Sequence, residues 1–266
     1  MFTLHNGDCL EYMKSMQSES IDCTITDPPY DERTHSGGVH YTAVEQIGND
    51  DIGIDDFAPL IDPTTLAQEF LRISKRWCLA FCTFESMKQW RDVAWEQKAW
   101  VRAGVWDRVN VTPQFTGDRP AQACDGIAIF HRYGRKHWNG GGKSAIWRYK
   151  VESGKKEHPT QKPLLLMKHL ISQFSDVGET IFDPFMGSGT TGVAAISLGR
   201  NFIGCELDPV YFSIAERRIK QAALQPGLFT PSNNRVQRTG GESGQQNLFS
   251  AGEVLPAKVT RQSTRR

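Results

Sequence analysis

Asp27-Pro28-Pro29-Tyr30 packs a carboxylate, two prolines and an aromatic ring into four residues. These types suit one chemical problem, the poor nucleophilicity of an amino group attached to an aromatic ring. Its lone pair is delocalised into the ring, and two acceptors on its hydrogens favour a more localised, attacking pair. Asp27 supplies a carboxylate acceptor, and Pro28 supplies a main-chain carbonyl. The fixed φ of Pro28 and Pro29 holds that carbonyl rigidly. Tyr30 offers a face on which an extruded nucleobase can stack. Four residues of this kind also make a simple turn, so a second motif must choose between the readings.

That second motif is Asp183-Pro184-Phe185-Met186-Gly187-Ser188-Gly189-Thr190-Thr191. Ile181-Phe182 before it reads as a buried strand end, and Thr190 to Ile196 as the start of a helix. Gly187 and Gly189 permit a turn with positive φ and leave room for a ligand. Strand–glycine turn–helix units bind nucleotide-like ligands at the carboxyl ends of strands. The turn lacks the lysine and the spacing of phosphate-binding loops, and Asp183 would repel a pyrophosphate while suiting a cation. The next strand, Asn201 to Cys205, ends at Glu206, placed to take two ribose hydroxyls. A ligand that is part nucleoside and part cation, without phosphates, points to S-adenosylmethionine. Both motifs end strands, so a parallel sheet would set them side by side on one edge.

The elements that must position these residues follow the hydrophobic pattern. Phe2–Asn6, Ile21–Thr26, Trp77–Cys82, Val101–Val109 and Gly126–Phe130 read as strands. Helices are expected over roughly Leu10–Met16, from Asp62-Pro63 to Ser74, over Glu85–Gln97, from Pro163 and after Asp208-Pro209, with Asp62 and Asp208 as N-caps. Residues 31–59 are rich in Gly, Asp and His and read as a long mobile binding loop. Between His131 and Lys156 lie eight Lys or Arg, interleaved with Tyr133, Trp138, Trp147 and Tyr149. That mixture suits phosphate contact and base stacking, with Arg135, Lys136, Trp138, Lys143 and Arg148 as candidate DNA contacts. A solvated basic loop is the alternative.

At 266 residues the chain fits one α/β domain with an insertion or a tail, and its net charge of +1 gives no global basic field. The six cysteines include no Cys-x-x-Cys pair, which argues against zinc or a disulfide framework. No signal region or membrane-spanning stretch is evident, so a soluble, cytoplasmic protein is expected.

Taken together, Asp27-Pro28-Pro29-Tyr30 and Asp183 to Thr190, in that order, resemble the β group of amino-methylating DNA methyltransferases. These act on adenine N6 or cytosine N4. His158-Pro159-Thr160-Gln161-Lys162-Pro163 and Gly7-Asp8-Cys9-Leu10 also match the family. The resemblance runs from about Thr3 to Ala222. It implies a permuted, Rossmann-like, three-layer α/β fold with a seven-stranded, mostly parallel sheet, and a catalytic domain over residues 1–222. A target-recognition insert would lie at 109–157. It further implies cofactor contacts from Asp8 and Cys9 near the adenine, and from Thr160 and Lys162 at the methionine carboxylate. Asp183, Phe185, Gly187, Ser188, Gly189 and Thr190 would contribute through the turn, and Glu206, Leu207 and Asp208 at the ribose side.

Double-stranded DNA is the implied substrate and a homodimer is common in the group. Aspartate at the head of the catalytic motif favours adenine, with cytosine as the alternative. Two other readings stay open, methylation of RNA or protein amides and a non-catalytic DNA-binding scaffold. Residues 223–266 read as a disordered tail. Its Leu228-Phe229 and Leu248-Phe249 pairs resemble sliding-clamp docking motifs, with chance or packing on the last helix as the alternative.

Overall fold

The apolar runs around Cys23, Leu79 and Ile127 form central strands whose side chains are buried on both faces, as near-continuous hydrophobic strands require. The computed structural model describes residues 1–29, 62–111, 113, 115, 117–151 and 161–224. Its elements are β1 (Phe2–Asn6), α1 (Cys9–Ser15), β2 (Ile21–Thr26), α2 (Pro63–Ile73), β3 (Ser74–Cys82), α3 (Met87–Glu96) and β4 (Trp100–Asp107). There follow β5 (Cys124–Phe130), β6 (Ile146–Arg148), α4 (Leu164–Phe174), β7 (Thr180–Asp183), α5 (Thr190–Ser197), β8 (Asn201–Glu206) and α6 (Pro209–Leu224). Tyr30, the loop at 31–59, Thr160 and the tail from residue 225, with both Leu-Phe pairs, lie outside the described residues.

One mixed sheet runs in the order β1-β8-β7-β2-β3-β5-β4-β6. All neighbours pair in parallel except β5, which is antiparallel to both β3 and β4. The sheet therefore has eight strands where seven were expected. The addition, β6, is three residues long and too short to show an alternating pattern among its Gly- and Lys-rich neighbours. Helices α1, α2 and α3 cover one face through Met13, Phe70, Leu71 and Trp90. Helices α4, α5 and α6 cover the other through Leu170, Phe174, Ala194 and Ile219. The result is a three-layer α/β fold.

Asp62 precedes Pro63 at the helix start as expected, but its side chain makes no capping hydrogen bond. Asp208 does cap α6, accepting from the amides of Val210 (2.7 Å) and Tyr211 (2.9 Å). All six cysteines are free thiols. Among the described residues no helix is long and apolar enough to cross a membrane, and no group of side chains could hold a metal ion.

Trp138 and Trp147 of the basic stretch turn inward, while Tyr133 stays exposed. Trp147 is buried and donates from Nε1 to Gln173 at 2.8 Å. Trp138 donates to the Gly141 carbonyl at 2.7 Å and packs on Phe174, with ring centroids 4.9 Å apart. Phe174 also meets Trp77 edge-on at 5.2 Å, so three indoles converge on one buried phenyl ring. Phe174→Ala is predicted to destabilise the chain by about 3–5 kcal/mol through loss of this contact and the cavity left behind. A matching fall in the urea midpoint at unchanged m-value is the expected reading.

Candidate active site

Pairing of β2 with β7, Cys23 opposite Ile181 and Thr24 opposite Phe182, brings the two motifs together across more than 150 residues of sequence. β8 pairs with β7 on its other side, with Asp183 opposite Gly204. Asp27, Asp183 and Glu206 therefore leave three adjacent parallel strands at one edge.

Asp183 is buried and pinned by neutral donors. Thr26 Oγ1 donates to it at 2.7 Å and the Phe185 amide at 3.1 Å. Burial pushes its carboxyl up to about 6, while hydrogen bonds from Thr191, Thr26 and Phe185 pull the other way. After it the chain turns through Gly187 (φ 52) and Gly189 (φ 83), both in the left-handed region. A Cβ at Gly189 would lie 2.9 Å from Ala215 Cβ, so helix α6 seats directly on the turn.

Glu206 closes the other side of that turn. Its carboxylate accepts from the Gly187 amide (2.8 Å) and the Asp208 amide (2.9 Å). Its carbonyl accepts from the Gly7 amide (3.0 Å) and the Asn6 side chain (2.8 Å). Burial raises its carboxyl above the ordinary glutamate value, against the pull of those amides. The N-terminal turn is thereby fastened to the Glu206 strand end. Asp8 there caps α1, accepting from the Glu11 amide at 2.9 Å, while Cys9 is buried beneath it.

Asp27 is held differently. Its carboxylate forms a largely buried ion pair with the Lys162 ammonium. That ammonium also lies over the Phe81 ring at 5.1 Å and the Trp106 ring at 5.8 Å. Its neighbour Gln161 reaches Ser188 Oγ at 3.5 Å, so residues 161–162 bridge the glycine turn and the catalytic strand. Lys162, read from sequence as a cofactor-carboxylate contact, thus rests on Asp27.

Several supporting residues were not legible in sequence. Arg218 of α6 donates to Ser188 Oγ at 2.9 Å and braces the turn. Thr26 adjoins the catalytic motif, and that position was a usable signal. Phe81, Trp106 and Arg218 carried none, because their roles depend on which strands and helices become neighbours.

The glycine-turn residues Phe185, Gly187, Ser188, Gly189 and Thr190 and the residues Glu206, Leu207 and Asp208 at the end of β8 come together. The candidate DNA contacts do not. β5 runs opposite to β3, so the chain leaves it at the far edge of the sheet. Arg132 is anchored there to Glu19, and the His137 carbonyl to Trp77. Arg135 and Lys136 lie between those anchors, and Trp138 packs just beyond. Arg148, paired with Asp107, is the candidate that returns to the Asp27 edge. Arg135, Lys136 and Trp138 therefore lie in a different region from Arg148.

A raised Asp183 carboxyl has a definite sign. The folded chain keeps this proton up to about pH 6, while an unfolded aspartate loses it near pH 4. Its contribution to stability is therefore full at low pH and falls as pH rises through that window. Asp183→Asn cannot titrate. Its stability relative to wild type is predicted to be higher at about pH 7.5 than at about pH 4.5, measured by denaturant titration.

Comparison with known proteins places this geometry. A family model described as DNA methylase, covering N6 and N4 methyltransferases, matches residues 21–217. The type II methyltransferase M.HinfI of Haemophilus influenzae is 30% identical over 253 residues, spanning 84% of this chain and 70% of its own length. The type II methyltransferase M2.DpnII of Streptococcus pneumoniae is 27% identical over 240 residues, spanning 82% of this chain and 89% of its own. The solved M1.HpyAVI–SAM complex superposes with a TM-score of 0.62 at 25% identity, over 82% of this chain and 99% of that one. With Asp27 and Asp183 at the ends of adjacent strands inside the matched region, the chain belongs to the N6/N4 DNA methylase family.

Proposed function

We propose that this protein transfers the methyl group of S-adenosylmethionine to the exocyclic N6 of an adenine flipped out of duplex DNA. The observation that carries the reading is the placement of Asp27, at the end of β2, beside the Asp183 turn on β7. Aspartate at the head of the motif supports adenine over cytosine through the family resemblance.

The residues present fit a cationic nucleoside. Asp183 and Glu206 accept only from neutral hydroxyl and amide donors among the described residues, so neither charge is cancelled by a cation. That leaves a local negative field suited to a sulfonium. Glu206 would take the ribose hydroxyls, with Leu207 and Asp208 beside it, and Asp8 and Cys9 would face the cofactor adenine. Gly187, where a Cβ would meet open space, keeps a side chain away from the ligand. The bound cofactor supplies an electrophilic methyl group on sulfur.

The rest is done by the chain. Asp27 Oδ and the Pro28 carbonyl accept the two amine hydrogens and orient the lone pair toward the methyl group. Tyr30 would stack on the extruded base. As the N–C bond forms, the S–C bond breaks and sulfur keeps its electron pair. The amine then loses one proton, for which the Asp27 carboxylate is the adjacent acceptor. Lys162 holds that carboxylate in one orientation before the base arrives.

Nucleoside mass spectrometry on DNA from a methylation-free host expressing the protein tests this reading. N6-methyladenine is expected with wild type and absent with Asp27→Ala, which should keep near-normal cofactor affinity. N4-methylcytosine would preserve the mechanism and move the base. A wild-type level of mark with Asp27→Ala would overturn the catalytic assignment. Glu206→Ala is expected to weaken cofactor binding roughly ten- to hundred-fold, as loss of charge-assisted hydrogen bonds does. An unchanged dissociation constant by calorimetry would remove the ribose role.

A further inference from the structure

Two strands beyond Asp27 along the same edge sits a second pair of opposite charges that methyl transfer does not use. Asp125 is the second residue of β5, and Arg108 follows the last residue of β4. Arg108 Nη2 donates to Asp125 Oδ1 at 2.8 Å, with both side chains mostly buried. The guanidinium lies 5.7 Å from the centroid of the Trp106 ring, whose Nε1 is tied to the Tyr149 carbonyl. Trp106 is the same ring that lies under Lys162. Asp125 feels both cations, Lys162 and Arg108, and the Asp27 charge as well. The edge therefore carries alternating charges, from Asp27 through Lys162 and Asp125 to Arg108, floored by Phe81 and Trp106.

A pair built only for stability would be bidentate, since desolvating two charges is offset only by full hydrogen bonding. This one is not. Arg108 Nε is buried and has no hydrogen-bond partner among the described residues. An orphaned, buried guanidinium N–H is destabilising. The guanidinium is nevertheless fixed by Asp125 on one side and an indole on the other, the preorganisation expected of an arginine that receives a planar or anionic acceptor.

Strands spaced at about 4.8 Å put Asp125 roughly 10 Å from Asp27 along the edge, with Arg108 one strand further. That is beyond a base seated on Asp27, and within reach of the adjoining nucleotide.

We infer that Arg108, held by Asp125 and Trp106, is a DNA-reading residue that donates to an acceptor on a nucleotide flanking the target base. The inference rests on the reading of Asp27 as the group that meets that base. The acceptor is an oxygen or nitrogen of a base edge or a phosphate oxygen, and the two sources behave differently when Arg108 is lost.

The test is the affinity of Arg108→Ala, Arg108→Lys and Asp125→Asn for a duplex carrying the wild-type methylation site. Fluorescence anisotropy would be read at several salt concentrations and repeated on duplexes substituted singly at each flanking position. Melting temperature and cofactor affinity are read on the same samples. Arg108→Ala is expected to bind the duplex roughly ten- to hundred-fold more weakly, with cofactor affinity unchanged. A base contact shows as discrimination lost at one flanking position and no rescue by lysine. A phosphate contact shows as a uniform loss, a salt slope reduced by about one and partial rescue by lysine. Asp125→Asn should give a smaller loss of the same kind. Wild-type DNA affinity in Arg108→Ala, or a loss matched by equal losses in cofactor affinity and melting temperature, would overturn the inference. Because the readout is DNA affinity and not turnover, that failure would leave the assignment of Asp27 standing.

Discussion

Parallel pairing of β2 with β7 is the constraint on which the site depends. A one-residue slip in either strand would turn Asp27 or Asp183 to the opposite face of the sheet. The register is held by burial on both faces, since Cys23, Ile25, Ile181 and Phe182 are all fully enclosed by helices. It is also held at its end by the Thr26–Asp183 hydrogen bond, which joins the strands one residue before Asp27. Proline at 28 and 29 then ends the ladder, because neither residue has an N–H to extend it. The ladder stops at Asp27.

The edge built on this pairing has an electrostatic order. At β8 and β7 the carboxylates of Glu206 and Asp183 are satisfied by amides and hydroxyls, which stabilise charge without cancelling it. From β2 to β4 the carboxylates of Asp27 and Asp125 are each matched by a cation, Lys162 and Arg108. One end therefore favours a cationic ligand, and the other tolerates a polyanion. Both coexist because the Gln161–Lys162 segment crosses between them, touching Ser188 on one side and Asp27 on the other.

Much of this was legible in the sequence. Two prolines after Thr26 marked a strand end, and two glycines after Asp183 marked a turn needing positive φ. Both are local properties of the chain, and both hold in the fold. Strand β6 escaped because three residues carry no periodicity, and its identity depends on pairing with β4. The inward turn of Trp138 and Trp147 escaped for a related reason. Aromatics amid lysines look exposed until Phe174, on a distant helix, supplies a buried partner. Lys162 was read as a cofactor contact from its motif, whereas its reach to Asp27 follows from where α4 begins relative to β2. Local sequence marked the strand end at Asp27 and the turn after Asp183, and tertiary neighbours decided what each residue touches.

Backbone amide exchange with S-adenosylmethionine alone, and then with a duplex added, tests the edge order most directly. Cofactor should slow exchange around Gly7, Phe185–Gly189 and Glu206–Asp208. Added DNA should extend protection to the strand ends at Asp107–Arg108 and Cys124–Asp125. Protection by DNA confined to the opposite edge, around Glu19 and Arg132–His137, would contradict it.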